Sequence, residues 1–265
     1  MSKLQELLSY MKLSDTHREI QLKQTRHRMR LVDAFQIRPG DRVLEVGSGQ
    51  GDTTVVLADA VGETGFVDAV DIAASDYGAP LTLKQATDYI AQSKIGKRIN
   101  FHFETNVVDN DFTGEYDVAI LSHSLFYFSS NEEILTLFTK LKQISKKICV
   151  ADWDLDFTTP TQAPHAQAIL LQVLFAKYND TDHNVQSLIT KELINQLLNQ
   201  AGWTISNQLV VDAKDLDDSK WEVALSNELE FDIYQPVFKA YQEMMLKSGQ
   251  LTPIESLDSF VMIGT

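Results

Sequence analysis

Residues 45–53 read Glu45-Val46-Gly47-Ser48-Gly49-Gln50-Gly51-Asp52-Thr53, and their position between two apolar runs decides the fold. Val43-Leu44 precedes them and Thr54-Val55-Val56-Leu57-Ala58 follows, so three closely set glycines stand where a buried strand turns into a helix. Glycine adopts backbone angles closed to other residues and leaves bare main chain for a ligand to lie against. The first amides of the following helix are expected to be unpaired and to favour electron-rich atoms. Asp71 ends the next apolar run, Phe66 to Val70, and lies 20 residues beyond Gly51. At that spacing a carboxylate accepts hydrogen bonds from ribose hydroxyls, so the ligand is expected to contain a nucleoside.

The dinucleotide fingerprint is G-x-G-x-x-G, whereas Gly47, Gly49 and Gly51 give the tighter G-x-G-x-G. A carboxylate at Glu45 would repel a pyrophosphate and suits a ligand with positive charge near its nucleoside. S-adenosylmethionine, with an ammonium and a sulfonium, is such a ligand. At this point the chain resembles the class I S-adenosylmethionine-dependent methyltransferases. The resemblance rests on D-R-V-L-E-V-G-S-G-Q-G-D-T at 41–53, V-D-A-V-D-I at 67–72 and Y-D-V-A-I-L-S-H-S-L-F-Y-F at 116–128. It covers residues 25–155 well and the rest in outline. The alternatives are a nicotinamide or flavin Rossmann domain, or a glycine turn with only a structural role.

The order of elements agrees with this. Helices are expected at 1–10 and 16–35, the second opened by a Thr16–Glu19 capping box, with the turn Arg38-Pro39-Gly40-Asp41 after it. Strands at 42–46, 65–71, 99–104, 116–122 and 147–152 alternate with helices at 53–61, 81–94 and from Ser130. Strand and helix in that rhythm demand right-handed crossovers and a parallel sheet covered on both faces. The resemblance implies a Rossmann-like, doubly wound, mostly parallel seven-stranded sheet, closed by an antiparallel strand at 259–263. Beyond Asp152, Pro160 to Pro164 is expected to break the chain, with helices at 166–177 and 190–201 and a strand at 203–212. Residues 213–249 read as a long loop with one helical stretch at 238–245. A single domain is expected, with a helical cap at 1–37, a cofactor-binding core at 38–156, and substrate-side insertions at 157–190 and 213–256.

Composition narrows the function. The chain has 265 residues and a net charge of -14, which argues against generic nucleic-acid binding. Residues 1–38 hold eight Lys or Arg against four Asp or Glu, and Arg26, His27, Arg28 and Arg30 fall within one expected helix. They read either as a solvated face paired with acidic neighbours or as a basic lid over an anionic substrate. The sequence shows no membrane-length apolar run and no secretory leader, so a cytoplasmic setting is the default expectation. Cys149 is the only cysteine and reads as strand packing. The partners expected are a small-molecule acceptor and, at most, a second copy of the chain, with no nucleic acid and no membrane.

Ligands of such sheets bind at the carboxyl ends of the strands. The resemblance implies that Glu45 serves the methionine ammonium, that the backbone of Gly47, Ser48, Gly49 and Gly51 borders the amino-acid arm, and that Asp71 takes the ribose hydroxyls. Ile72 would pack on the adenine face and the Ser122 main chain would border the methionine end. Many relatives carry an adenine-binding Asp where this chain has Thr105 or Asn106, with Asp109 a few residues on. His123, just past strand four, reads as a general base or as a residue that only shapes the pocket. Tyr127, Trp153 and Asp154 are expected to line the acceptor pocket. His165 and His183 lack a firm metal spacing, so no metal site is expected. Tyr77, Tyr178 and Tyr234 carry no assignment. The expected activity is methyl transfer to a small molecule. The rivals are a noncatalytic protein that holds the cofactor or its demethylated product, and a cyclopropane-fatty-acid-synthase-like enzyme.

Overall fold

A computed structural model describes residues 1–13, 17–112, 114–179, 185–230, 236–251 and 253–265. Thr16, His183 and Tyr234 lie outside them. Seven strands form one sheet: β1 (Arg42–Val46), β2 (Phe66–Val70), β3 (Ile99–His102), β4 (Tyr116–Ser122), β5 (Ser145–Trp153), β6 (Ile205–Val211) and β7 (Ser259–Gly264). Their order is β3-β2-β1-β4-β5-β7-β6. The first five run parallel, and β7 lies antiparallel between β5 and β6. This is the Rossmann-like architecture expected from the sequence.

Side chains on a strand alternate between faces, and here they feed two cores. Val43, Val67 and Ile120 face one cluster, with Leu7, Leu31 and Phe35 of the N-terminal helices α1 (Lys3–Leu8) and α2 (Arg18–Phe35). Leu57 of α3 (Asp52–Ala60) and Ile90 of α4 (Leu83–Ala91) complete it. Leu44, Ala119 and Leu121 point the other way, into a cluster with Phe138 and Leu141 of α5 (Asn131–Ile144) and Leu198 of α7 (Lys191–Gln200). Helix starts follow local chemistry. Thr82, Ser130 and Thr190 each accept a hydrogen bond from the third residue of the helix that follows, satisfying an amide with no intrahelical partner.

The segments after β5 depart from expectation in two places. Pro164 does not break the chain but sits in the first turn of α6 (Ala163–Asn179), where an amide would have had no partner. The expected loop at 213–249 holds two helices, α8 (Asp218–Asn227) and α9 (Pro236–Leu251). Helix α8 packs on α6 through polar residues: Gln172 Nε2 donates to Glu222 Oε2 at 2.7 Å and Ser226 Oγ donates to the Ala168 carbonyl at 3.1 Å. Ser219 and Ser226 are fully buried while Trp221 is 43% exposed, so the apolar pattern of α8 is inverted.

Candidate active site

The crevice opens where strand order reverses between β1 and β4, and the glycine turn occupies it. Gly47, Gly49 and Gly51 all take positive φ, at 79°, 52° and 87°. At Gly47 an added Cβ would lie 2.5 Å from Cβ of Ser124, whose hydroxyl donates to the Val46 carbonyl. A Cβ on Gly51 would lie 2.8 Å from Ile90. At Gly49 it would meet no protein atom within 4 Å, so this glycine faces open space.

Most amides of the turn that precedes α3 are paired within the fold. The amides of Gly47 and Ser48 both donate to the Val70 carbonyl at 2.9 and 3.1 Å, and that of Gly51 donates to the Ser48 carbonyl. The Gly49 amide donates to Asp71 Oδ2 at 2.7 Å. Val70 of β2 and Asp71 just after it therefore satisfy three amides of the turn, those of Gly47, Ser48 and Gly49. Asp71 also accepts from the Ala73 amide at 2.9 Å, which holds the carboxylate at the rim with one backbone donor on each oxygen and lone pairs to spare. Ile72 beside it is 73% exposed, an apolar surface at the edge of the crevice.

Glu45 is 2% exposed, and its Oε2 accepts the Thr54 hydroxyl at 2.5 Å. Burial pushes its pKa up to about 8, against the pull of Thr54 and Arg28. The carboxylate that the sequence suggested as a standing negative charge is therefore largely protonated at neutral pH, and a nearby cation would be needed to ionise it. Thr105 donates its hydroxyl to the Phe103 carbonyl at 2.7 Å, while Asn106 Oδ1 accepts the Val108 amide at 2.9 Å. The Asn106 carbonyl is thus engaged, and the Thr105 oxygen retains its accepting capacity.

At the end of β4, Ser122 leads into His123, whose φ of 53° turns its side chain back under the cap. The His123 amide donates to the Ala151 carbonyl at 2.8 Å. Its Nε2 lies 2.9 Å from Ser259 Oγ, and its Nδ1 lies 3.9 Å from Asp152 Oδ1. Burial, with His27 and Arg28 near, lowers its pKa well below the usual imidazole range, so it is a neutral ring at physiological pH. Trp153 is buried, stacked on Phe126 at 4.5 Å and edge-on to His123 and His165. It forms the floor behind His123. Asp154 turns aside to Lys191 at 3.0 Å and caps the Asp156 amide, so its carboxylate joins β5 to α7. Tyr127 is half exposed at the mouth, on the 3-10 turn after β4. His165 is fully buried, and its Nδ1 accepts the Leu257 amide at 2.9 Å.

The basic stretch of α2 covers this crevice through pairing. Arg28 approaches Asp52 at 3.6 Å, Arg30 approaches Asp215 at 3.6 Å and Lys23 approaches Asp217 at 3.3 Å. These ion pairs agree with the expectation of acidic neighbours. His27 is the exception in the run, being 2% exposed and 3.0 Å from Ser259 Oγ. The sequence placed His27 only in the basic run, as part of a solvated face or lid, which its burial corrects, and Ser259 did not stand out at all. The signal for His27 was its place four residues before Leu31 and eight before Phe35, both buried. Among the described residues no group of His, Cys, Asp and Glu is placed to hold a metal ion.

A family model described as a methyltransferase domain matches residues 15–208. The chain belongs to the class I S-adenosylmethionine-dependent methyltransferases. It is similar to the solved structure of a cyclopropane-fatty-acyl-phospholipid synthase-like protein from Lactobacillus casei ATCC 334, with 33% identity and a TM-score of 0.92 over 99% of this chain and 98% of that one. It is 25% identical over 231 residues to the methyltransferase phomM of Diaporthe leptostromiformis, covering 71% of this chain and spanning 60% of that protein's length. The geranyl diphosphate C-methyltransferase of Streptomyces coelicolor A3(2), solved with S-adenosyl-L-homocysteine, shares the fold with a TM-score of 0.54 and 12% identity, covering 91% of this chain and 78% of that one.

Proposed function

We propose that the chain transfers a methyl group from S-adenosylmethionine to a small-molecule acceptor. The observation that carries this is the convergence at one crevice of an open glycine, a rim carboxylate with lone pairs to spare, an exposed apolar side chain and a buried carboxyl that a cation would ionise. Glu45 would serve the ammonium, directly or through water, and Asp71 the ribose hydroxyls. Ile72 would lie on the adenine face, with Thr105 and Asn106 at the adenine edge and the Ser122 main chain at the methionine end. When bound, the cofactor supplies a methyl group on a sulfonium, already a good leaving group. The protein gains most by aligning the acceptor and keeping water out, which the buried floor of Trp153 and Phe126 favours. His123, neutral at the end of β4, is suited to accept a proton where the acceptor arrives with one. The proposal carries with it a single domain, insertions at 157–190 and 213–256 that select the acceptor, no nucleic-acid partner and a cytoplasmic setting. Among the described residues no helix is long and apolar enough to cross a membrane.

Calorimetry tests the cofactor assignment. S-adenosylhomocysteine is expected to bind and NADH to give no heat, and the reverse result would sink the proposal. Asp71→Ala is expected to weaken S-adenosylhomocysteine about 10- to 100-fold, the loss of one or two hydrogen bonds to a charged group. An unchanged affinity would remove Asp71 from the ribose site.

The name of the Lactobacillus casei neighbour favours a second reading, transfer to an unsaturated acyl chain. Such a substrate calls for a basic or apolar surface facing lipid. Lys23, Arg28 and Arg30 of α2 are instead drawn to acidic partners. Incubation with labelled S-adenosylmethionine separates the two readings, with label expected in a water-soluble metabolite pool and not in unsaturated phospholipid vesicles. Binding without turnover on either would leave a noncatalytic cofactor-binding protein.

A further inference from the structure

One line of polar side chains, buried except at the partly exposed His123, runs from the end of β5 to the cap. Asp152 Oδ1 stands 3.9 Å from His123 Nδ1, His123 Nε2 lies 2.9 Å from Ser259 Oγ, and Ser259 Oγ lies 3.0 Å from His27 Nε2. Four places far apart in sequence supply it, α2, the end of β4, β5 and β7, and β7 enters through its first residue, paired with Trp153 of β5. At both ends a buried atom, Asp152 Oδ2 and His27 Nδ1, lies outside good hydrogen-bond geometry, although the Leu125 amide approaches Asp152 and the Asp212 carbonyl approaches His27. A buried polar atom left so costs stability, and its persistence calls for a use.

The single hydroxyl proton of Ser259 fixes the state of both rings. It donates to one Nε2 and accepts from the Nε2–H of the other, so two neutral imidazoles must hold opposite tautomers. Arg28 and Arg30 of α2, His165 of α6, Asp152 of β5, Asp212 just after β6 and Asp218 of α8 are titratable and charged groups around the line. Burial with Arg28 and Arg30 close by keeps His27 at about 3, and burial with His27 and Arg28 near holds His123 low as well. A proton that reaches either ring is therefore not kept there. Both rings border a cavity of about 60 Å³ that Gln24, Arg28, Thr53, Ser122 and Asp218 also line. It has room for a few waters.

We propose that His123, Ser259 and His27 form a proton relay that carries the acceptor's proton from the end of β4 to the cavity beneath α2. The proposal rests on the methyltransferase reading and adds the class of acceptor, a molecule whose reacting oxygen or nitrogen carries a hydrogen. The proton passes from that atom to His123 Nδ1, the Nε2 proton of His123 moves to Ser259 Oγ, and the hydroxyl proton moves to His27 Nε2. The Nδ1 proton of His27 then leaves to cavity water or to the Asp218 carboxylate. The electron pair of the broken bond stays on the acceptor atom as the lone pair that takes the methyl group. Each ring ends neutral with its tautomer exchanged, and no imidazolium persists beside Arg28. Asp152 Oδ1, at 3.9 Å, stands beyond hydrogen-bond distance of His123 Nδ1, and burial pushes its carboxyl up to about 7, so it is partly protonated at neutral pH and leaves Nδ1 bare to take the acceptor's proton. Ser259 and His27 act through His123 and are positioning residues.

The first test uses the full chain without ligand, labelled with 15N at histidine, at pH 7.5. His27 and His123 are expected to be neutral and of opposite tautomer. Ser259→Ala should release that constraint and Ser259→Thr should keep it. Two rings of the same tautomer, or spectra unchanged in Ser259→Ala, would overturn the relay. The second test follows labelled methyl from S-adenosylmethionine into a metabolite extract. Ser259→Ala and His27→Phe are each expected to lower kcat about 10- to 100-fold with KM within about threefold, and Ser259→Thr should recover most of the rate. Variants as fast as the wild type would overturn the relay and leave the cofactor assignment standing. An inert wild type overturns the relay too, and S-adenosylhomocysteine calorimetry then decides whether the cofactor assignment falls with it.

Discussion

Replacing Glu45 by glutamine is expected to stabilise the protein and to weaken cofactor binding at once. Burial raises this carboxyl from 4.5 to about 8, so the native state holds a proton that the unfolded chain has given up. The sign follows from linkage: a group whose native pKa is raised loses stability as pH climbs from the unfolded to the native value, here from 4.5 to about 8. Each unit is worth about 1.4 kcal/mol, and partial relaxation of the site leaves a net effect on the order of 3 kcal/mol at pH 8. Glutamine keeps the shape and has no charge to bury. The Tm of Glu45→Gln is therefore expected to exceed the wild type by roughly 5 °C at pH 8.5, with most of the gain gone at pH 5.5. A cationic ligand reverses the balance, because an ammonium near Glu45 draws out the proton. Binding of S-adenosylhomocysteine at pH 7 should release up to one proton, seen as a heat that depends on the ionisation enthalpy of the buffer. The variant should show no such dependence and should bind about 10- to 100-fold more weakly. Wild-type heats identical in phosphate and Tris would detach Glu45 from the ammonium.

That result bears on what the sequence could disclose. The strands were legible along the chain because each is a short apolar run bounded by glycine, proline or a capping residue. The glycine turn was legible because three glycines at a strand end have few other uses. The hydrogen bonding of that turn was not, since it depends on Val70 and Asp71 of a strand that pairs alongside only after folding. Helix α8 was hidden for a different reason. Its buried face carries Ser219, Glu222 and Ser226 while Trp221 and Leu225 look outward, so the apolar period that announces a helix points the wrong way. Asp154 reads like a pocket residue beside Trp153, and only the fold shows Lys191 taking its carboxylate. Ser259 is one serine among many in the chain, and nothing local marks it. Its place between His27 and His123 comes from the pairing of β7 with β5 and from the helix laid across them.

Two alanines, at Gly47 and at Gly49, are expected to separate what the glycine turn does for folding from what it does for the ligand. Both positions have positive φ, so both substitutions carry the left-handed penalty of roughly 1–2 kcal/mol. At Gly47 the new methyl would stand 2.5 Å from Cβ of Ser124, and Ser124 cannot yield freely because its hydroxyl is bonded to the Val46 carbonyl. Overpacking of that kind adds about 1–3 kcal/mol, so the Tm of Gly47→Ala should fall by roughly 4–10 °C. At Gly49 the methyl meets no protein atom, and the amide bond to Asp71 is retained. Its Tm should fall by no more than about 4 °C. The space that the Gly49 methyl would enter is the floor assigned to the cofactor, and a ligand pressed against bare main chain has no room for it. Affinity for S-adenosylhomocysteine should then drop at least about 30-fold in a variant that is otherwise folded, a loss of about 2 kcal/mol. If Gly49→Ala binds as tightly as the wild type, the open side of the turn is not where the ligand lies, and the site must be sought nearer the cavity beneath α2.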